Sequence, residues 1–250
     1  MNKNTLEVDS NIKAIITQCI SDAVGDKIKE DIRLHGLKTQ NSTPTRIWDL
    51  LNTDLCRHFN GPDCMAYTSK RGPWEMILVY EKQSGFLYTF MREKRFSEIR
   101  AKVGKRRRMH YVDMLVRHLN PDLKAPIGQT SMFPIHFDDE AQLAESVQAL
   151  LVNLLEDGAV VRRHVLVLFE SSRFMLTSVR AVMVDTNLDI VAEQNWSSSI
   201  SVEESVIAEQ VEEPKNPANA PTRGLKLTAK AAARKESNPL RPVDEKSEAK

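Results

Sequence analysis

Three cysteines in 250 residues, with no CxxC pair, offer no disulfide framework. Cys19, Cys56 and Cys64 are expected to be reduced, structural thiols. Apolar runs are short as well. The longest are strand-length pieces such as residues 76–80, far below the roughly 20 residues that span a membrane. Residues 1–9 are polar and of mixed charge, with no apolar run behind a basic start. No secretory leader is therefore expected, and the expected setting is soluble and cytoplasmic. Net charge is equally scarce. Thirty-five Lys and Arg stand against 34 Asp and Glu, +1 overall, so no global field draws the chain to nucleic acid or to an anionic membrane. Any electrostatic function has to be local. Glycine-rich signatures are missing too. Gly104-Lys105 has Ile99 where a phosphate loop needs glycine and Arg106 where it needs Ser or Thr. There is no GxGxxG, no GxSxG and no HExxH, and the six histidines are scattered. No cofactor, metal or catalytic residue is assigned on these grounds.

What is present reads as α+β. Ile12, Ile15, Ile16, Cys19, Ile20, Ala23, Val24 and Ile28 recur at steps of three and four. They predict a helix capped by Asp9 or Ser10, running toward Ile32 and ended by Gly36. Thr43-Pro44 opens a second helix with Ile47, Leu50, Leu51, Leu55 and Phe59 inward, stopped by Asn60-Gly61-Pro62. Residues 63–69 predict a short strand, and residues 74–81 and 86–91 a hairpin around a four-residue loop. Phe96, Ile99 and Val103, then Val112, Leu115, Val116 and Leu119, predict two helical pieces joined at a basic corner. An irregular loop is expected over residues 121–137, followed by a helix with Leu143, Val147, Leu150, Leu151 and Leu154 inward. Strands at 163–170, 173–184 and 188–195, joined by short turns, predict an antiparallel meander.

The expected organisation is thus a folded body over residues 1–198, made of two helix-plus-antiparallel-meander halves (1–120 and 138–198). Whether the halves share one sheet is open at this point. No aromatic residue follows Trp196. A disordered tail over 199–250 is therefore expected, because so little apolar surface cannot offset ordering entropy. The tail turns from acidic to basic: residues 185–213 carry eight acids and no Lys or Arg, and residues 221–250 carry eight Lys or Arg against four acids. Residues 225–235 (LKLTAKAAARK) favour a transient helix and are the expected contact for a protein partner.

The sharpest local feature is residues 92–108, where nine Lys or Arg face two Glu, a local charge of +7. Arginines in this density suit phosphate oxygens, and an aromatic neighbour can stack. The candidate nucleic-acid-binding residues are Arg100, Lys102, Lys105, Arg106, Arg107, Arg108 and Tyr111. The competing reading is a solvated face, or one paired with the chain's own acidic segment. For metal-dependent cleavage the candidates are Glu75, Glu81, Glu93, Lys94, His110 and Asp113, but an acid followed two positions later by lysine on a strand is absent.

The stretches GPWEMILVYEKQSGFLYTFMREK (72–94), MHYVDMLVRHLN (109–120), VLVLFESSRFMLTSVRAVMVD (165–185) and IVAEQNWS (190–197) resemble an uncharacterised family of small bacterial proteins over residues 44–197. The resemblance implies a bacterial setting and transfers no chemistry. The leading expectation is a non-enzymatic protein that contacts nucleic acid or another polyanion through its basic helical corner. One alternative is a protein-interaction or regulatory module acting through the tail. The other is a nucleic-acid-directed enzyme, such as a metal-dependent nuclease in a toxin or phage-defence setting.

Overall fold

Asp9 begins the first helix as its cap: its carboxylate accepts the N–H groups of Asn11 and Ile12 at 2.9 and 3.2 Å. In the computed structural model, which describes residues 5–36, 38–126 and 136–200, helix α1 runs Ser10–Val24. The apolar stripe does not continue as one helix. Gly25, at φ −100 and ψ −109, leaves helical space, and α2 restarts at Asp26–Leu34. The third helix, α3, is Thr43–His58, with Ser42 rather than Thr43 at the cap position and Pro44 inside the first turn. The middle of the long loop (127–135) and the predicted tail beyond residue 200, with its 225–235 segment, lie outside the described residues.

Six strands form one sheet in sequence order: β1 Cys64–Arg71, β2 Trp74–Glu81, β3 Phe86–Arg92, β4 Arg163–Ser172, β5 Met175–Val184 and β6 Ile190–Asn195. Both predicted meanders are present, and they share the sheet. Their junction is the one arrangement that short turns could not announce. β3 pairs with β4 in parallel, from Phe86↔Arg163 to Arg92↔Phe169, while every other pairing is antiparallel. A parallel pair needs a long crossover. Residues 93–162 supply it, with helices α4 Glu93–Arg100, α5 Tyr111–Leu119, α6 Leu143–Leu150 and α7 Val152–Glu156.

Helices cover both faces, so the central strands are apolar on both sides. Ile77, Val79, Tyr88, Phe90, Val167 and Phe169 pack with α1, α2 and α3. Leu78, Leu87, Met91, Leu166, Leu168 and Val182 pack with α4 to α7. The period-2 alternation of β2 is kept, with Leu78 and Tyr80 on one side and Ile77 and Val79 on the other. Asn120 ties the crossover to the sheet. Its Nδ2 donates to the carbonyls of His164 (2.9 Å) and Val184 (3.3 Å), and its Oδ1 accepts the His164 N–H at 3.0 Å. Trp196, the last aromatic residue, is fully buried and closes the core after β6. Among the described residues no helix is long and apolar enough to cross a membrane.

The tip of the β1–β2 hairpin positions the site. β1 and β2 pair along their whole length, from Cys64↔Glu81 to Arg71↔Trp74, around a Gly72-Pro73 turn with Gly72 at φ +58. A positive φ at the first position of a two-residue hairpin turn favours glycine. The β2–β3 ladder, in contrast, ends after three pairs at Val79↔Tyr88. Residues 74–78 therefore have no ladder partner in β3, and a cleft opens beside the hairpin tip.

Candidate nucleic-acid interface

The basic segment divides into cations that the fold uses and cations that it leaves to solvent. Arg92 turns inward: its guanidinium lies 5.4 Å from the Phe169 ring centroid, and its Nη1 donates to Ser171 Oγ at 2.9 Å. Burial pushes its pKa down. Arg95 pairs with Glu98 at 3.2 Å and Arg100 with Asp189 at 2.6 Å. Arg106 donates twice to Asp113, at 2.6 and 3.0 Å, with the Asp113 side chain wholly buried. Lys94, Lys102, Lys105, Arg107 and Arg108 are exposed and have no ion-pair partner among the described residues.

Of the seven predicted contact residues, the structure thus sets Lys102, Lys105, Arg107 and Arg108 free on one turn. It engages Arg100 and Arg106 in ion pairs and takes Tyr111 out of that surface. Tyr111 is the first residue of α5, where the helix's apolar stripe faces the sheet, and it is only 7% exposed. Burial pushes its hydroxyl up to about 12. The N–H groups just ahead of α5 are already engaged as well. Asp113 accepts the His110 N–H at 2.7 Å, and Asp139 accepts the Met109 N–H at 3.0 Å. These carboxylates already meet the partial positive charge of a helix start.

The free cations sit on an anchored turn. Lys105 and Arg106 N–H groups donate to the Lys102 carbonyl at 3.0 Å, and the Asp138 N–H donates to the Arg107 carbonyl at 2.8 Å. The Arg106 and Arg117 guanidiniums lie over the Phe137 ring at 5.9 and 5.0 Å, and Arg117 pairs with Glu140 at 3.1 Å.

Beside this turn lies a cleft where residues 74–78 lack a ladder partner in β3. It measures about 470 Å³ and is walled by Trp48 and Asp49 of α3, Trp74 of β2, Phe90, Arg71 and Tyr111. It continues into a shallower groove of about 1,100 Å³ along α3 and the hairpin, past Asn52, Arg57, Thr68 and Lys70. Arg71 carries no ion pair among the described residues. Its guanidinium lies 5.1 Å from the Tyr111 ring centroid and 3.2 Å from His110 Nε2. Burial, and then the cations of Arg71, Arg95 and Arg106, push the His110 imidazole down to about 3. The sequence reading did not single out Trp48, Trp74 or Arg71. The signal for them is a tryptophan directly after a Gly-Pro turn, at a hairpin tip that cannot bury it.

The carboxylates considered for metal chemistry are occupied otherwise. Glu81 accepts from Ser84 and Tyr88 hydroxyls at 2.7 Å, Glu93 grips Arg180, and Asp113 holds Arg106. Glu75 lies near Lys70 at 3.4 Å on the exposed hairpin. Among the described residues no group of three or more His, Cys, Asp or Glu is placed to hold a metal ion.

Comparison with known proteins adds a family and no chemistry. The model of a family of unknown function, DUF5986, matches residues 2–245, a longer span than the 44–197 of the resemblance seen in the sequence. No curated protein and no solved structure matches the chain.

Proposed function

The chain belongs to that family, whose description assigns no activity, and we propose from its own geometry that it binds nucleic acid or another polyanion through the turn between α4 and α5. One observation carries the reading: Lys102, Lys105, Arg107 and Arg108 are exposed and, among the described residues, free of carboxylates on a turn held at both ends. An ion-paired arginine brings little net charge to a phosphate, whereas an unpaired one displaces counterions from it and strengthens binding. Anchoring the turn lowers the ordering cost of binding. A cytoplasmic setting goes with this reading, since Cys19, Cys56 and Cys64 are free thiols and the cytosol keeps thiols reduced.

The test is a mobility-shift titration with single-stranded and duplex oligonucleotides at low salt. The variant K102A/K105A/R107A/R108A should lose most of the affinity, while R100A, whose charge is already matched by Asp189, should keep it. Unchanged binding by the four-site variant would overturn the reading.

A further inference from the structure

The hairpin tip is an anomaly in an otherwise covered sheet. β2 is eight residues long and β3 seven, yet only three register pairs join them. Residues 74–78 of β2 have no register partner in β3. Backbone groups aimed across such a gap need water or a ligand. Among the described residues no side chain fills the gap, and its volume of about 470 Å³ falls within the roughly 300–1,000 Å³ of small-molecule sites.

The lining is chemically divided. Two indoles reach the cleft from different elements: Trp48 from α3, half-buried and edge-on to Phe169 at 5.6 Å, and Trp74 from β2, 55% exposed. A large aromatic ring left that open at a hairpin tip is a platform without a partner. Arg71 and Arg95 stand at the end beside His110 and Tyr111, where the cleft meets the basic turn. Asp49 and Asn52 line the α3 side, and their side chains have no hydrogen-bond partner among the described residues. Flat aromatic walls, cations at one end and paired donors and acceptors at the other fit a nucleobase that carries a phosphate.

We propose that this cleft seats one unpaired nucleotide, its base against Trp74 and Trp48 and its phosphate toward Arg71. The inference rests on the reading that the neighbouring turn holds phosphates, and it adds that the nucleic acid is single-stranded. A base paired within a duplex is stacked on both faces and cannot enter a cleft between two indoles. The groove that continues along α3 and the hairpin leaves room for the next nucleotides of a strand. A free nucleotide shares the chemistry of the first position alone.

Intrinsic fluorescence reads the site, because Trp48 and Trp74 line it while Trp196 is fully buried. Full-length protein, with W74A, W74F and K102A/K105A/R107A/R108A, is titrated with a mixed-sequence single strand, its duplex, a mononucleotide and inorganic polyphosphate. The single strand should quench tryptophan emission and the duplex should not. W74A should bind the single strand about 5- to 100-fold more weakly, the loss of one stacked base, yet bind polyphosphate as wild type does. W74F, which keeps a ring, should recover most of the affinity. Quenching by the mononucleotide at similar affinity would assign the cleft to a free nucleotide; much weaker binding than the strand assigns it to a strand.

Equal binding of the single strand by W74A and wild type, with loss in the four-site variant, overturns the cleft and leaves the basic turn standing. Unchanged binding of polyphosphate by the four-site variant overturns the basic turn, and W74A then decides the cleft by itself. Absence of quenching by every nucleotide probe overturns the cleft outright.

Discussion

Replacing Arg106 by methionine separates two uses of a cation on one turn. Methionine keeps an unbranched apolar stem near Phe137 and removes the guanidinium. Asp113, whose side chain has no exposed surface, then loses donors at 2.6 and 3.0 Å and, among the described residues, keeps only the His110 N–H at 2.7 Å. Removing one partner of a buried ion pair costs about 3–5 kcal/mol, because a buried charge is left uncompensated. The lower end applies here, since the Arg106 side chain is 18% exposed and water can enter the vacated space. At about 2–4 °C per kcal/mol for a domain of this size, a loss of about 3 kcal/mol lowers Tm by roughly 6–12 °C. Urea titration followed by circular dichroism, with a thermal melt beside it, measures both. Arg107 and Arg108 touch no carboxylate among the described residues, so R107M and R108M should stay within about 0.5 kcal/mol of wild type. The double variant R106M/D113N removes both charges together, so it should recover part of the stability and keep polyanion affinity near wild type. An R106M protein within 1 kcal/mol of wild type, or an R107M protein equally destabilised, would refute the division of this segment into structural and free cations.

Three further outcomes follow from the same geometry. If Lys102, Lys105, Arg107 and Arg108 each neutralise one phosphate of a single strand, log K should fall against log salt with a slope of about −2.8, and each alanine substitution should reduce it by about 0.7. Filter binding from 50 to 200 mM salt measures this, and a wild-type slope near zero would contradict it. The second outcome concerns acid. Burial holds His164 at about 3, and burial with nearby arginines holds His110 there, against an ordinary 6.5. The unfolded chain therefore takes up protons first as pH falls. Stability from each group is complete above pH 6.5 and declines by about 1.4 kcal/mol per pH unit toward pH 3. Thermal melts between pH 7 and 4.5 should show this decline, and H164Q should roughly halve its slope, leaving the part due to His110. The third outcome is local strain. Gly85 sits at φ +73, and a Cβ there would lie 2.7 Å from Arg162 Cγ and 3.0 Å from its Cβ. G85A should cost about 1–2 kcal/mol by urea titration, and a neutral substitution would mean that the loop relaxes.

Most of the elements are legible in the sequence because their signals are local. The apolar steps of three and four from Ile12 to Ile28, the alternation of β2 and the four-residue loop that ends at Gly85 each depend on neighbours a few positions away. Where the reading missed, the cause is a contact across a long separation or a single backbone conformation. Gly25 breaks one expected helix into two by leaving helical φ and ψ. The central parallel pair depends on how residues 93–162 return to the sheet, which no turn signal reports.

The candidate site shows the same limit more sharply. A dense basic stretch at 92–108 is plain in the sequence, and so is the tryptophan at residue 74. Which of those cations remain free is decided elsewhere. Asp189 takes Arg100 from a strand turn 89 positions away, and the face that α5 turns to the sheet buries Tyr111. The cleft exists because the β1–β2 ladder outlasts the β2–β3 ladder, so Trp74 has a strand on one side and a gap on the other. Sequence by itself determined the elements, their faces and the local excess of positive charge, since propensity, periodicity and charge are properties of neighbouring residues. Only the tertiary structure decided which charges are neutralised and where an aromatic ring meets open space, because ion pairs and strand registers join residues the chain keeps far apart.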